Sequence, residues 1–433
     1  MKNAILGISL ALVGTVSLVG CATDGQDEDC LPGDAECNDR PVGEGKSDAW
    51  DDVNAPDQMA QHLEYHLDKL PKKGTREKPV WASSYPEAVG KAAAVWADTY
   101  WPASEGSHNA RWMGPTVKSP LEKYDAAFNN KPGCDTQPEI SGRNSKAAWD
   151  TYNNCAGPAA KWQTEEYESI GLMHNGIDDD HDGKTDEYGD DGVDGVQGWW
   201  GSCHAWTPAS QMVPEPQHAV TMNGVKFEVG DIKALIQNIF DQTDAVMLGG
   251  RCNAKEITHD VNGSANDECS DVNPGAMHVV LANFLGLRQL PLVEDKTANY
   301  QVWNQPVVEY NVTKQDEVDA KTAMKCVGGT GEKYTYNTNA KKLYEVRSTV
   351  SYVTESSASA TPVGFKNNIQ TDDYHYILEV GSTGKVIGGR YCTDAENSHI
   401  DFLWSPTGSY SPSNPNVDVA KVKQLLKMSV AAQ

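Results

Sequence analysis

The N-terminus decides the chemical environment in which this chain folds. Met1-Lys2-Asn3 is followed by a largely apolar, uncharged run through Val19 and then by Gly20-Cys21. A basic start, a short apolar stretch and small residues before a break have the form of a secretory signal. The run falls short of the ~20 apolar residues that a comfortable membrane span needs. Export puts ten cysteines, at positions 21, 30, 37, 134, 155, 203, 252, 269, 326 and 392, in an oxidising compartment. Disulfides persist there, so the pairing of these thiols constrains the fold from the outset.

Leu18-Val19-Gly20-Cys21 resembles a bacterial lipobox, which implies that Cys21 becomes the lipid-bearing first residue of the mature chain. Ala22 rather than Asp follows it, and by resemblance to Gram-negative lipoproteins this implies the outer membrane. The expected location is the cell envelope, with membrane contact only through the N-terminal lipid. Setting Cys21 aside leaves nine cysteines, so one thiol is expected to stay unpaired and reactive. Spacing suggests Cys30 with Cys37, Cys134 with Cys155, Cys252 with Cys269, and a longer loop between Cys326 and Cys392. Spacing does not determine connectivity, but this grouping leaves Cys203 alone.

The 433 residues suffice for one large domain or two ordinary ones plus a tail. The net charge of −25 is concentrated in two places. Residues 21–52 hold eleven carboxylates against Arg40 and Lys46, and residues 175–194 hold nine against Lys184. The remainder is only mildly acidic. No basic stripe is available to displace counterions, which argues against a nucleic-acid partner.

Residues 1–20 therefore read as the signal, and residues 21–52 as an acidic flexible tether too poor in apolar side chains to offset its ordering entropy. Residues 53–174 read as mainly helical. Met59, Leu63, His66 and Leu67 recur at helical spacing before Pro71. Val89, Ala93 and Trp96 would share a helix face over 86–100, and Ser119 would cap a helix over 120–128. An acidic loop follows over 175–194, and residues 195–433 form the core. There, 225–230 reads as a strand and Asp231 as the cap of a helix running to Ile239. Residues 277–287, β-branched and apolar, read as a strand. So do "VVEYNVTK", "KLYEVRSTVSYVTES" and "YHYILEVGSTGKVIGGRYC", the last a hairpin turning at Ser382-Thr383-Gly384. "VAKVKQLLKMSV" closes the chain as a helix. Helices around Cys203 with an antiparallel sheet behind them make the fold α+β.

Cys203 sits in "GWWGSCHAWTPAS". As a nucleophile it needs a lowered pKa, an imidazole nearby, a group to orient that imidazole, and donors for an oxyanion. Gly198 and Gly201 permit close backbone approach, and a helix starting at the cysteine is expected to bend or stop at Pro208. His278 is the candidate base, and Asp295, 17 residues later, the candidate orienter. His204 does not suit the base role, because adjacent helical residues do not face each other. The alternatives are a buried or disulfide-bonded Cys203, a satisfied core His278 and a strand-end Asp295. The segment "VWNQP" (302–306) could line an acyl groove or form only an edge turn.

"GSCHAW" resembles the "GSCWAF" of papain-like proteases and the "GQCWVF" of transglutaminases. The blocks "WPASEGSHNARW", "SPLEKYDAAF", "VKFEVGDIKALI", "NPGAMHVVLANFLGL", "VEDKTANYQVWNQPV" and "HIDFLWSP" resemble the transglutaminase-elicitor family of oomycetes and its bacterial relatives. The resemblance implies a papain-like/transglutaminase-like core and protein–glutamine γ-glutamyl transfer. It implies a protein glutamine as acyl donor and a lysine or other amine as acceptor. Cys203 would be the nucleophile, His278 the base and Asp295 the orienter. Gln197 stands six residues before Cys203, as the oxyanion glutamine does in papain-like proteases, and Trp200 is its rival. A cysteine hydrolase of the same fold and a non-catalytic surface-binding module are the competing readings.

"NGIDDDHDGKTDE" carries a second signal. Asp178, Asp180, Asp182 and Asp186 are spaced around Gly183, which suits the oxygen-rich, flexible coordination of Ca²⁺. The run resembles the first half of an EF-hand loop but has Gly189 where that loop places Glu, so Asp190, Asp191 or Asp194 would complete the shell. The competing reading is a solvated acidic loop.

Overall fold

A computed structural model describes residues 53–138, 146–169, 198–251, 271–395, 399–408 and 410–431. Its centre is one antiparallel sheet. In chain order the strands are β1 (Lys73–Thr75), β2 (Val220–Met222), β3 (Val225–Phe227), β4 (Ala245–Leu248), β5 (Val293–Asp295), β6 (Asn304–Val318), β7 (Lys342–Val353), β8 (Ile369–Val380), β9 (Val386–Tyr391) and β10 (Leu403–Pro406). The main sheet runs β4-β10-β5-β6-β7-β8-β9, with β1 pairing β6 beyond β5; β2 and β3 form a separate hairpin. That hairpin turns at Asn223-Gly224, both in the left-handed region, as a two-residue Asn-Gly turn requires. The long strands form where their sequences lead one to expect, although β8 is mostly exposed over its first half and buried throughout its second, and the β8–β9 turn includes Gly384 at φ +83°.

The helices are α1 (Pro120–Phe128), α2 (Lys146–Cys155), α3 (Pro158–Ser169), α4 (Cys203–Met212), α5 (Val229–Phe240), α6 (Pro274–Leu281), α7 (Ala320–Cys326) and α8 (Val419–Val430). Mixed helices and an antiparallel sheet make the fold α+β. Ser119 caps α1 in a reciprocal capping box with Glu122, as its position predicts. Helix α5 starts earlier than expected, at Val229. Asp231 lies inside its first turn, where its carboxylate accepts from the Glu228 N–H at 2.7 Å.

Three sequence expectations fail. The segments around 57–67 and 86–100 are not α-helices; the described elements there are short 3₁₀ turns such as Pro56–Gln58, Val80–Ser83 and Pro86–Ala88. Val89 is extended and Gly90 adopts φ +79°, which stops the second segment after one turn. Residues 277–287 are helical rather than a strand. Asn273 Oδ1 accepts from the N–H groups of Gly275 and Ala276, Pro274 occupies the first turn, and α6 runs directly into a π-helical stretch, Ala282–Arg288. This run is apolar all round because α6 is buried on every side, so hydrophobic periodicity could not separate helix from strand. Finally, Pro208 does not end α4, which continues to Met212 with Ala205, Trp206 and Ala209 buried around it.

The two faces of the sheet carry separate cores. Val307 and Tyr310 of β6, Val346 and Val350 of β7, and Tyr376 and Leu378 of β8 pack with α6. Val308 and Val353 point the other way and pack with α4, α5 and α8. Helices α4 and α6 therefore lie on opposite faces. The disulfides Cys134–Cys155 and Cys326–Cys392 are present as spacing suggested. Cys30, Cys37, Cys252 and Cys269 lie outside the described residues.

Helix α6 approaches β9 so closely that a Cβ on Gly275 would stand 2.4 Å from the backbone C and O of Gly388. Backbone cannot move aside as a flexible side chain can. Gly275→Ala is therefore expected to cost about 1–3 kcal/mol, the range for overpacking. An unchanged midpoint in thermal or denaturant unfolding would refute the tight contact.

Candidate active site around Cys203

Cys203 is the first residue of α4 and only 1% exposed. The chain reaches it through a backbone contact that excludes larger residues. A Cβ on Gly201 would meet the carbonyl oxygen of Tyr100 at 2.5 Å. The Ala103 N–H donates to the Trp200 carbonyl at 2.7 Å and the Tyr100 hydroxyl to the Gly198 carbonyl at 2.8 Å. These bonds pin the loop and direct the helix N-terminus, whose partial positive charge favours a thiolate.

The sulfur lies against the start of β6. Its Sγ is 3.8 Å from the Val302 carbonyl oxygen and 3.6 Å from Asn304 Nδ2. Asn304 is fully buried, and its Oδ1 accepts from Trp404 Nε1 at 2.6 Å. The segment 302–306 is thus in contact with the cysteine and is not a bare edge turn. Trp199, Val293, Phe402 and Trp404 complete the apolar cluster around Cys203, with Trp200 and Trp303 partly buried at its margin.

Asp295 is brought to the same side. It is paired in register with Asn304 across β5 and β6, so their side chains share a face. Its Oδ1 accepts from the Thr297 N–H, the Thr297 hydroxyl and the Trp303 N–H, at 3.1, 2.9 and 2.9 Å. Its Oδ2 is buried with no hydrogen-bond partner among the described residues. Burial pushes its pKa up to about 7 despite those donors and the charge of Arg251. Glu294, next along β5, faces the other way. Both of its oxygens are buried without a hydrogen-bond partner among the described residues, and burial together with Asp372 raises its pKa well above the usual range.

His278 is not brought to Cys203. It lies on α6, on the opposite face of the sheet, with Nδ1 2.9 Å from the Tyr376 hydroxyl. Burial, helped by the charge of Lys72, lowers its pKa to about 4. With 277–287 helical rather than extended, α6 carries His278 to that face instead. His204, as expected, is turned elsewhere, with Nε2 3.1 Å from Asp241 Oδ1. Burial would raise the Asp241 carboxyl, but the hydrogen bond and charge of His204 outweigh it and hold the carboxyl below its ordinary range.

Cys203 is not the unpaired thiol that cysteine parity predicted. It is disulfide-bonded, and its partner lies outside the described residues. Parity states how many thiols are left over, not which ones. Gln197 and the acidic run with Asp178, Asp180, Asp182 and Asp186 also lie outside the described residues, as do the signal, Cys21 and the tether. Among the described residues only Cys326, His375 and Cys392 converge as metal-type ligands, and those two sulfurs are joined to each other. No helix among them is long and apolar enough to cross a membrane. Sequence reasoning missed Asn304 and the fully buried His399–Asp271 pair, at 2.8 Å. His399 begins the block "HIDFLWSP", but nothing in its own residue pattern distinguishes it from a core histidine.

The transglutaminase elicitor family profile matches residues 56–432. The crystal structure of the GP42 transglutaminase from Phytophthora sojae is similar over 85% of this chain and 94% of that one, at 25% identity and a TM-score of 0.60. No curated protein sequence matches the chain.

The neutral burial of His278 has a measurable consequence. An ordinary histidine titrates at 6.5, and here burial lowers that to about 4. The unfolded chain binds the proton more readily, so this stability is present at neutral pH and drains away as pH falls from about 6.5 towards 4. In His278→Gln the melting temperature should fall less steeply across that window than in the wild type. Equal slopes would contradict the neutral, buried state; His108, also lowered to about 4, contributes equally to both proteins.

Proposed function

Because the chain belongs to the transglutaminase elicitor family, we propose that it is a protein–glutamine γ-glutamyltransferase that uses Cys203 as its nucleophile. The observation that carries this reading is the placement of Cys203. The sulfur opens a buried helix within the matched region and faces Asn304, with Asp295 on the same side of the sheet.

The disulfide sets the first step. A thiol reductant opens it by exchange; two reductant thiols become one disulfide, and Cys203 and its partner regain their thiols. The Cys203 thiolate then attacks the γ-carboxamide carbon of a protein glutamine. The C–N bond breaks, the departing nitrogen takes up a proton, and ammonia leaves a thioester. An amine, typically of lysine, attacks that thioester, the C–S bond breaks, and the amine proton is lost as the thiolate returns. The net exchange is a carboxamide and an amine for an isopeptide and ammonia. The backbone N–H of Cys203, in the first turn of α4, is the proposed oxyanion donor, with Gln197 or Trp200 as the second. Asp295 is the proposed carboxyl of the site, and its pKa near neutrality suits an acid–base group. His278 has no part in the proposal, since it stands on the other face of the sheet.

The reduced protein should incorporate a labelled amine into a glutamine-containing protein. The unreduced protein and Cys203→Ala should show at most about a thousandth of that rate, the scale of losing a nucleophile that acts as a unit with its site. Ammonia or peptide release without amine uptake would replace transfer by hydrolysis. Equal rates for Cys203→Ala and wild type would remove the enzymatic reading altogether.

Calcium belongs to the same proposal. Asp178, Asp180, Asp182 and Asp186 would hold Ca²⁺ and order the segment that leads into Cys203. Chelation with EGTA should lower the melting temperature or the transfer rate, and readdition of Ca²⁺ should restore it. No change in either would sink the calcium assignment.

A further inference from the structure

We propose that Asn304 is a catalytic residue whose side-chain amide donates a hydrogen bond to the Cys203 sulfur and stabilises its thiolate. This deepens the reading above and rests on Cys203 being the reacting sulfur. The case starts from an orientation that side-chain amides usually leave ambiguous, because oxygen and nitrogen have nearly the same shape. Here the ambiguity is removed. The Trp404 indole N–H can only donate, so the Asn304 atom 2.6 Å from it is the carbonyl oxygen. The –NH₂ group must then point the other way, where it donates to Cys203 Sγ at 3.6 Å.

The indole is itself held fast. Trp404 sits in the middle of β10, paired with Met247 on one side and Val293 on the other. Asn304 is the first residue of β6, held in register opposite Asp295. Both ends of the amide are therefore positioned by sheet pairing and not by a loop. A hydrogen bond to a charged sulfur is stronger than one to a neutral sulfur, so a fixed donor favours the thiolate over the thiol. The N-terminus of α4 acts in the same direction. Among the described residues, the charged groups nearby act as follows. Asp295 opposes a thiolate only to the extent that it ionises, Arg251 acts on Asp295, and His204 is turned to Asp241.

The same donor bears on chemistry. Each time the thioester forms or breaks, negative charge passes through the sulfur. A donor already aimed at that atom needs no reorganisation at that moment. The side chains of Val293, Val302 and Phe402 pack around Cys203 as an apolar wall, and the low local dielectric they make strengthens a hydrogen bond to the sulfur.

The test uses the full chain after thiol reduction and reads the rate of Cys203 alkylation by iodoacetamide against pH, with the modified peptide identified by mass. In Asn304→Ala the thiol pKa should rise by about one unit, slowing alkylation near neutral pH roughly tenfold. Asn304→Asp keeps an oxygen for Trp404 but replaces the donor with a carboxylate, and should raise the pKa further. Trp404→Phe leaves Asn304 in place and removes only its orienting donor; it should give a smaller rise, and it decides the matter if the Asn304 variants do not fold. Amine incorporation should fall about 10²-fold in the Asn304 variants. Unchanged alkylation profiles in the folded variants would overturn the proposal. If the wild type transfers no amine yet the variants shift the thiol pKa, the Asn304 assignment stands and the transferase reading falls.

Discussion

Strand β6 is the constraint on which both halves of this molecule depend. It pairs with β7 along most of its length on one side and with β5 and then β1 on the other. Its register slips between Val307 and Glu309. An extra residue in one strand of an antiparallel pair reverses which face the following side chains use. Here Val307 and Tyr310 serve the core under α6, and Val308 serves the core under α4 and α5. Asn304, before the slip, is delivered to Cys203. A regular strand of this sequence could not bring Asn304 to the sulfur while also setting Val307 and Tyr310 into one core and Val308 into the other.

The contrast between the two faces explains the fate of the histidines. Helix α6 is buried all round, so His278 is a core residue, satisfied by Tyr376 and kept neutral by burial. Helix α4 also packs into a core, but its first residue faces an amide, a carboxyl face and a ring of tryptophans. Reactive groups gather where a helix N-terminus meets the mouth of a sheet, and at Cys203 both the α4 dipole and the Asn304 donor favour the same charge state. A disulfide at that sulfur is compatible with all of these contacts. In the proposed reaction it would mask the sulfur without disturbing the groups around it.

Much of the architecture was legible in the sequence. The alternating strands β6, β7 and β8, the capped helix α1, the closing helix α8 and two of the disulfides follow from local patterns. Cys203 and Asp295 were candidates from the family resemblance, and the fold brings both to the Asn304 side of the sheet. What stayed hidden depended on long-range packing. The run 277–287 has no polar face, and periodicity is silent when every side is buried. Reading it as a strand carried His278 into a site it does not occupy. Asn304 was passed over because an asparagine inside an apolar segment has no signature of its own. Its role emerges only when Trp404, a hundred residues away, is seen to fix its amide. The pairing of Cys203 was equally beyond reach, since which cysteines meet is a property of the fold.

The short strand β5 shows what such a site costs the fold. Glu294 and Asp295 are consecutive, and strand geometry sends their side chains to opposite faces, so both cores receive a buried carboxyl. Apolar residues at either place would pack without a desolvation penalty. Asp295 titrates near 7 in the folded chain against an ordinary 3.8, so the folded state holds its proton where the unfolded state releases it. The stability this proton confers is complete below about pH 4 and is lost as pH rises towards 7. At neutral pH the carboxyl is therefore a net burden on the fold, the reverse of a carboxylate placed in an ion pair for stability. Three donors are nonetheless spent on fixing its Oδ1, while Oδ2 has no hydrogen-bond partner among the described residues. An arrangement that orders one oxygen so fully and leaves the other unsatisfied serves stability poorly. In the proposed reaction it suits a group that exchanges a proton near neutral pH at Oδ2, on the face it shares with Asn304, the side chain that meets Cys203.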